Sequence, residues 1–298
     1  NLMMLGDKSL IPENRITRAY PQRNLFSHII GQIDNENNGI SGLEKSLNEE
    51  LRNNQDAIKL TVDKDIQFLI RDELLKFNKI FSTIGSAAIL MDVRNGEILS
   101  LVSLPDFDPN KRKNIKDKNF INKITKGVYE LGSVFKTFTL AAALNEKIIE
   151  TDTEFNNLEK KIYCAGNPIE EYDDKIPTDL TAEQILVRSG NIGSVRIAQK
   201  VGIEKFESFL KKIGILNKIE FDLEEVGTPK VGNWGKCKLA TVSFGHGLST
   251  TPLQLAKAYS IITNGGYYIE PTLIIKNDKL RDNQRRRILK KEVSEKIN

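Results

Sequence analysis

Two short segments of the chain carry side chains that could do chemistry together. Ser133 and Lys136 lie three residues apart, a spacing that places both side chains on one face of a helix, one turn apart. Ser189 and Asn191 belong to a Ser-Gly-Asn segment, which offers a second hydroxyl and an amide. A serine is a poor nucleophile until a base removes its proton, and Lys136 can be that base only if burial or a neighbouring cation keeps it neutral. The four residues therefore indicate acyl transfer through a serine nucleophile.

The residues that follow Ser133 predict the element that positions it. Gly132 precedes the serine, and an apolar run follows, with Phe135, Phe138 and Leu144 among its members. We expect a buried helix from about Ser133 to Glu146 with the serine in its first turn. The unpaired N–H groups and the dipole of a helix N-terminus favour negative charge that develops there.

Each motif also has an ordinary structural interpretation. Ser133 with Lys136 could be the cap and the solvated face of a helix, and Ser-Gly-Asn is good turn chemistry. His246 lies between two glycines, so we interpret it as a turn residue and not as a catalytic base. The order of the two motifs, and the glycine turn before the first, favour the catalytic interpretation.

Further segments carry a resemblance to a known family. They are Arg18–Pro21, His28–Gly31, Gly39–Glu44, Leu60–Asp63 with Gln67, Pro105–Asn110, Ser243–Gly247 and Thr251–Ala256. Together with the Ser133 and Ser189 motifs, they resemble the class B penicillin-binding proteins, most closely the septal type, which crosslinks peptidoglycan during cell division.

The resemblance implies a fold and a mechanism. The fold is α+β, a penicillin-binding or β-lactamase-like transpeptidase domain in which helices pack on an antiparallel sheet. Ser133 would attack a stem peptide that ends in D-Ala-D-Ala, with Lys136 as the base. Ser189 would relay a proton to the leaving amine, and Asn191 would bind the substrate's amide carbonyl and hold Lys136 in place. No cofactor is implied.

The resemblance also implies partners and a location. The partners would be peptidoglycan stem peptides, β-lactams, a membrane glycosyltransferase and proteins of the division machinery. The catalytic domain would be periplasmic, behind an inner-membrane anchor that is absent from this chain. Two alternatives stay open, a serine β-lactamase and a non-catalytic penicillin sensor or division scaffold.

The chain departs from the family's pattern in one respect. The family carries Lys-Thr/Ser-Gly on a strand that forms the other wall of the cleft, and no such segment follows Gly265. We therefore expect a C-terminally incomplete domain with an exposed strand edge, a half-built cleft and little activity of its own.

Organisation along the chain follows from composition and turn signals. Residues 1–56 are polar and Asn-rich, and we interpret them as the remnant of an N-terminal module with a linker. Residues 57–298 would be the truncated transpeptidase domain. Asn95-Gly96 between two apolar runs predicts a β-hairpin with a type I′ turn. Thr181 with Gln184, and Thr251 with Gln254, predict capping boxes that begin two helices.

Composition excludes several other classes of protein. Hydrophobic residues make up 39% of the chain and charged residues 28%, as in an ordinary globular protein, and the small net charge of +4 does not argue for a nucleic-acid partner. The basic run from Arg285 to Arg287 is interpreted as a solvated edge. The chain has two histidines and two cysteines, which form no metal-ligand pattern. A disulfide between Cys164 and Cys237 is one alternative, but we expect two unpaired core residues.

Overall fold

The chain folds into short strands and many helices. The computed structural model describes residues 9, 17–53, 56–111, 121–275 and 286–298. The α-helices are α1 (Ser27–Ile30), α2 (Gly42–Ser46), α3 (Asn48–Asn53), α4 (Lys64–Phe81), α5 (Lys136–Asn145), α6 (Ala182–Val187), α7 (Asn191–Val201), α8 (Ile203–Lys212), α9 (Lys236–Val242), α10 (Pro252–Thr263) and α11 (Lys291–Ile297). The strands are β1 (Ser86–Met91), β2 (Ile98–Leu104), β3 (Glu154–Phe155), β4 (Lys161–Cys164), β5 (Asn167–Glu170), β6 (Leu180–Thr181), β7 (Lys230–Val231) and β8 (Leu248–Ser249).

Within the described residues these strands form two-stranded antiparallel pairs, β1 with β2, β3 with β6, β4 with β5 and β7 with β8. Antiparallel pairing with helices packed around it confirms the α+β class. No helix of the described ranges is both long and apolar enough to cross a membrane. Arg285, the first residue of the basic run, lies outside the described ranges.

The hairpin predicted at Asn95-Gly96 exists, but the predicted type I′ turn is wrong. β1 and β2 pair from Ser86 with Leu104 to Met91 with Ile98, and a bulge follows Leu90. Only Gly96 has a positive φ, +79°, because the Asn95 side chain instead accepts the N–H of Glu97 at 3.0 Å. Asp92 closes this longer turn by donating its N–H to the Glu97 carbonyl at 2.9 Å.

Helix α4 is attached to the sheet through one buried amide. Asp63 caps the helix by accepting the N–H groups of Asp65 and Ile66, each at 2.9 Å. The Gln67 side chain, 1% exposed, donates to the Leu25 and Leu101 carbonyls at 3.0 and 2.9 Å. It also accepts the Leu101 N–H at 2.9 Å and the Ser100 hydroxyl at 2.7 Å. A buried amide with four partners fixes α4 against β2 and the N-terminal segment, since each lost bond would leave a buried polar group unsatisfied.

The N-terminal residues pack onto the same core as the hairpin. Ile29 and Leu43 share a buried cluster with Leu101 of β2. Tyr20 and Asn110 exchange two hydrogen bonds, of 3.0 and 2.9 Å, so two of the segments that carry the family resemblance contact each other. Within residues 17–53 the chain forms the short helices α1, α2 and α3, which turns separate. The domain boundary at residue 56 stays a prediction.

Helix α5 lies at the centre of the larger core. Every residue from Phe138 to Leu144 is buried, as expected for a helix that is apolar on all sides. Helices α7, α8 and α11 pack around it. Both predicted capping boxes are present, at Thr181 with Gln184 and at Thr251 with Gln254. These caps fix where α6 and α10 begin, and α6 leads directly to Ser189.

One side of the hairpin is open. β1 pairs with β2, and no other strand of the described residues pairs with its second edge. Large apolar side chains on the adjoining α4 are also at least 48% exposed: Phe68, Leu69, Phe77, Ile80 and Phe81. An open edge of this kind agrees with the exposed strand edge that the sequence suggested.

The expectation of two unpaired cysteines is wrong. Cys164, at the end of β4, forms a disulfide with Cys237 of α9, with a Cα–Cα distance of 5.5 Å. Both residues are half-buried and not in the core. The bond joins the β4–β5 hairpin to α9, which lie 73 residues apart in sequence, so nothing local indicated the pairing.

Candidate active site

Ser133 lies in a tight turn directly before the central helix. Residues Gly132–Phe135 form a 3₁₀ turn, and the α-helix begins only at Lys136, so the predicted first α-helical turn is in fact 3₁₀. Lys136 follows Ser133 by one turn, but its Nζ is hydrogen-bonded to Ser189, and no hydrogen bond to the Ser133 hydroxyl is among the described contacts. The Ser133 side chain is exposed, and its hydroxyl makes no hydrogen bond within the described part of the chain. The serine is therefore open to a substrate.

Two neighbouring segments hold this turn in place. Gly245 has a φ of +88°, and a Cβ on it would lie 1.9 Å from the Gly132 carbonyl oxygen, so only glycine fits there. The Tyr259 hydroxyl, from α10, donates to the Val134 carbonyl at 2.7 Å. The Thr139 hydroxyl donates to the Ser243 carbonyl at 2.7 Å. The Ser243–Gly247 segment thus supports the serine from behind.

Lys136 is a buried cation placed against the second motif. Lys136 is 2% exposed. Its Nζ donates to the Ser189 carbonyl at 2.5 Å and contacts the Ser189 Oγ at 3.0 Å. Burial lowers the pKa of Lys136 to about 8, against the opposing effect of the Glu171 negative charge. A substantial fraction of this lysine is therefore neutral near pH 8, as a base for Ser133 must be.

The Ser189-Gly190-Asn191 segment is both a turn and part of the site. It connects α6 to α7, and Ser189 adopts a positive φ of +54°, which is uncommon for a residue with a side chain. The Ser189 N–H donates to the Leu186 carbonyl at 2.9 Å and ends α6. The structural and the catalytic interpretations of this motif therefore do not exclude each other.

Asn191 does not contact Lys136 in this structure. Its side-chain amide donates to the Glu170 carbonyl of β5 at 2.8 Å, and no described contact joins it to the lysine. Of the four predicted site residues, Lys136 and Ser189 are in contact, and Asn191 is bonded to the β4–β5 hairpin. Ser133 lies one turn before Lys136, without a side-chain hydrogen bond to it among the described contacts. The roles assigned to these residues stay predictions.

Glu171 is the site residue that the sequence did not indicate. Its carboxylate accepts the N–H groups of Asn191 and Ile192 at 2.6 and 2.9 Å, which caps the N-terminus of α7. A carboxylate at this helix end is favourable because the helix dipole places positive charge there. Glu171 follows β5, and its distance from Lys136 depends on how the hairpin folds over α7. No local spacing could have revealed it.

His246 takes no part in this arrangement. The exposed His246 ring lies against Phe244 with the ring centroids 5.1 Å apart. The backbone N–H of His246 donates to the Thr241 carbonyl at 3.0 Å. The contacts are those of a turn residue. No three His, Cys, Asp or Glu side chains in the described ranges come close enough together to hold a metal ion.

The chain is similar to known proteins over most of its length. The family model described as "Penicillin binding protein transpeptidase domain" matches residues 86–298. The probable peptidoglycan D,D-transpeptidase FtsI of Caulobacter vibrioides is 30% identical over 268 residues. That match covers 88% of this chain and 45% of the relative, so the chain spans about half of the relative's length.

Solved structures give the same result for the fold. The transpeptidase domain of penicillin-binding protein 3 from Burkholderia pseudomallei superimposes with a TM-score of 0.70 at 26% identity, covering 80% of this chain and 67% of that one. Penicillin-binding protein 3 from Mycobacterium tuberculosis, solved with aztreonam, gives a TM-score of 0.81 at 23% identity, covering 94% and 67%. Since the family model matches well over half of the chain, this chain belongs to the penicillin-binding protein transpeptidase family.

Proposed function

We propose that this chain carries the acyl-transfer site of a serine D,D-transpeptidase that crosslinks peptidoglycan stem peptides. Lys136 Nζ takes the Ser133 proton as Oγ bonds to the carbonyl carbon of the penultimate D-Ala. The C–N bond to the last D-Ala then breaks, and its amine receives a proton through Ser189. An amine of a second stem peptide attacks the acyl-enzyme, the Oγ–C bond breaks, and Ser133 regains a proton.

The contact between Lys136 and Ser189 carries this proposal. A lysine that is 2% exposed and has a pKa lowered to about 8 is a poor structural cation but a suitable base. The 3.0 Å contact with the Ser189 hydroxyl supplies a path for the proton from the lysine to a leaving group. Asn191, at the start of α7, is the fourth residue of the site, and we assign it to the substrate's amide carbonyl.

The same mechanism accounts for β-lactams as inhibitors. Attack by Ser133 on the ring amide breaks the ring C–N bond, but the amine stays tethered to the acyl group and cannot leave. An acceptor amine is therefore kept away from the acyl carbon. The relative solved with aztreonam supports β-lactams as ligands of this chain.

The cellular setting is part of the proposal. The Ser243–Gly247 and Ser189–Gly193 segments favour a septal role, with a membrane glycosyltransferase and division proteins as partners. We place the domain outside the cytoplasm, on an inner-membrane anchor, and the Cys164–Cys237 disulfide supports this location because disulfides persist in oxidising compartments.

These 298 residues contain no Lys-Thr/Ser-Gly segment. The family resemblance assigns that segment to the second wall of the cleft and to half of the oxyanion hole. Loss of one oxyanion donor costs a factor of about 10²–10³ in rate. We therefore propose that the chain acylates slowly by itself.

Labelling with a fluorescent penicillin tests the proposal. Mass spectrometry of the labelled peptide should place the adduct on Ser133, with slow but saturable kinetics. Ser133→Ala should abolish the label. Ser208→Ala, which alters an exposed serine of α8, should keep it. An adduct on another residue, or no adduct on a chain with a cooperative thermal transition, would contradict the proposed site.

Two further experiments distinguish the two alternatives from the proposed transpeptidase. A β-lactamase would hydrolyse nitrocefin steadily after one equivalent, whereas the proposed transpeptidase would stop at one acylation per molecule. A sensor or scaffold would leave cell division intact in a strain whose full-length protein carries Ser133→Ala. Either result would replace the proposed function.

A further inference from the structure

The disulfide connects two of the elements that build the active site. Cys164 ends β4, and Cys237 is the second residue of α9. The β4–β5 hairpin accepts the side-chain amide of Asn191 at 2.8 Å. Helix α9 leads into the Ser243–Gly247 segment, which supports the Ser133 turn. The bond therefore joins the two sides of the site.

The first turn of α9 has little local stabilisation. Gly235 precedes it and has no side chain that could cap the free N–H groups. Lys236 and Lys238 place two positive charges at the end where the helix dipole is already positive. The helix has only seven residues, and isolated helices of that length are not stable in water. We therefore expect the disulfide at Cys237 to hold a turn that would fray without it.

Lys238, the neighbour of Cys237, reaches from that turn to the active-site loop. Its Nζ donates to the Gly247 carbonyl at 2.9 Å. The Gly247 N–H donates to Oε1 of Glu130 at 3.0 Å, and Glu130 lies three residues before Ser133. Charged side chains thus bind both backbone polar groups of Gly247, one from α9 and one from the segment that carries the nucleophile. Hydrogen bonds with one charged partner are stronger than neutral ones.

The other end of the disulfide is attached to the centre of the domain. Glu159, which lies just before β4, pairs with Arg196 of α7 at 2.5 Å. Ile169 of β5 is buried in the larger core. Cys164 therefore belongs to a hairpin that is fixed on α7, and the disulfide extends this support to the first turn of α9.

We propose that the Cys164–Cys237 disulfide is a positioning bond of the active site and that its reduction slows acylation of Ser133. This role rests on the proposed function of Ser133. A dithiol supplies two electrons and two protons, the S–S bond breaks, two thiols form, and the dithiol becomes a disulfide. The first turn of α9 then loses its restraint, and Lys238 no longer holds Gly247 beside the Ser133 turn.

Rates of labelling by a fluorescent penicillin test this role. The chain is reduced with dithiothreitol, freed of it without air, and assayed below the thermal transition of the reduced form. Reduction should slow acylation by about tenfold or more, as expected for the loss of one charged hydrogen bond. The maximal rate should fall, while the penicillin concentration at half-saturation stays unchanged. Cys164→Ser with Cys237→Ser should behave like the reduced chain. Equal rates in the oxidised and the reduced chain would overturn the proposal.

A substitution of Lys238 identifies the contact through which the disulfide acts. Lys238→Met should slow the oxidised chain by about the same factor, and reduction should slow this variant no further, because both changes remove one contact. Lys236→Met alters an exposed lysine of the same turn and should keep both the oxidised rate and the sensitivity to reduction. Additive effects of reduction and Lys238→Met would refute the proposed path.

Amide hydrogen exchange separates this role from the proposed function. Reduction should speed exchange of the Gly247 N–H more than that of Ile261, which is fully buried in α10. A chain that is unlabelled in both states but shows this faster exchange would contradict the proposed function and support positioning of the loop by the disulfide. Unchanged exchange at Gly247 would refute the positioning role, whether or not Ser133 is labelled.

Discussion

The rate of acylation by penicillin should depend on pH through Lys136. Burial lowers the pKa of this lysine from 10.5 to about 8. With that pKa about one molecule in ten carries a neutral Lys136 at pH 7, against about one in 3,000 for an unperturbed lysine. Burial therefore supplies about a 300-fold larger fraction of the reactive form, if the base is Lys136.

The sign of the dependence follows from the same shift. The protonated form cannot accept the Ser133 proton, so the second-order acylation rate should rise tenfold per pH unit below about pH 7 and level off above about pH 9. The inflection should lie near pH 8. The assay is stopped-flow or gel-based labelling with a fluorescent penicillin at subsaturating concentration, which reports on the free enzyme.

Glu171 provides the diagnostic variant. Its charge raises the pKa of Lys136, so Glu171→Gln should move the inflection to lower pH. The glutamine oxygen can still accept an N–H at the start of α7, which limits the structural damage. Glu170→Gln is the matched control, since that neighbouring carboxylate pairs with Lys161 at 2.6 Å and should leave the inflection in place.

Three outcomes would refute this reasoning. A rate that is flat between about pH 6 and pH 9 would show that no group with the properties of Lys136 is the base. An inflection near the pKa of an ordinary lysine would show that burial does not perturb it. Equal shifts of the inflection in the Glu170 and Glu171 variants would show that the charge of Glu171 has no specific effect on the pKa of Lys136.

Further substitutions test the parts that support the site. Gly245→Ala should lower the melting temperature more than Gly265→Ala and should also slow acylation. Both residues have φ near +88°, but a Cβ at Gly245 would lie 1.9 Å from the Gly132 carbonyl oxygen, whereas a Cβ at Gly265 has no neighbour closer than 4.0 Å. Thermal melts and labelling rates separate the two variants, and equal effects would exclude the clash. The disulfide joins residues 73 positions apart, so its reduction should lower the unfolding free energy by about 4 kcal/mol. Denaturant titration with and without reductant measures this loss, and an unchanged midpoint would contradict it. Gln67→Leu should lower the unfolding free energy by about 3 kcal/mol or more, because four buried hydrogen bonds are lost. Gln199→Leu, on the exposed face of α7, should leave the unfolding free energy nearly unchanged in the same titration.

Local sequence patterns are sufficient to predict the parts of the structure that depend on contacts between residues close together in the sequence. The spacing of Ser133 and Lys136 places the two residues one turn apart in either a 3₁₀ or an α-helical turn, so the error in helix type does not change that expectation. The capping residues Thr181 and Thr251 act within four residues of the chain, and both were predicted. Gln67 was noted only as part of a resemblance, and its four hydrogen bonds now give the physical reason for its presence.

Features that depend on long-range packing could not be predicted in this way. The contact of Glu171 with α7 requires the β4–β5 hairpin to fold over the helix, and the cysteine pairing requires the same hairpin to reach α9. The turn at Asn95 was mispredicted because its side chain bonds to the Glu97 N–H, which competes with the positive φ of a type I′ turn.

The open edge of β1 affects how this protein behaves in solution. Among the described residues no strand pairs with this edge, so its N–H and C=O groups, together with the apolar side chains that α4 leaves uncovered, can pair with the same features on a second copy. Edge-to-edge pairing of that kind is a bimolecular process, so the melting temperature and the fraction of labelled molecules should vary with protein concentration. Each measurement on this chain should therefore be made over a dilution series, because only values extrapolated to low protein concentration describe a single molecule.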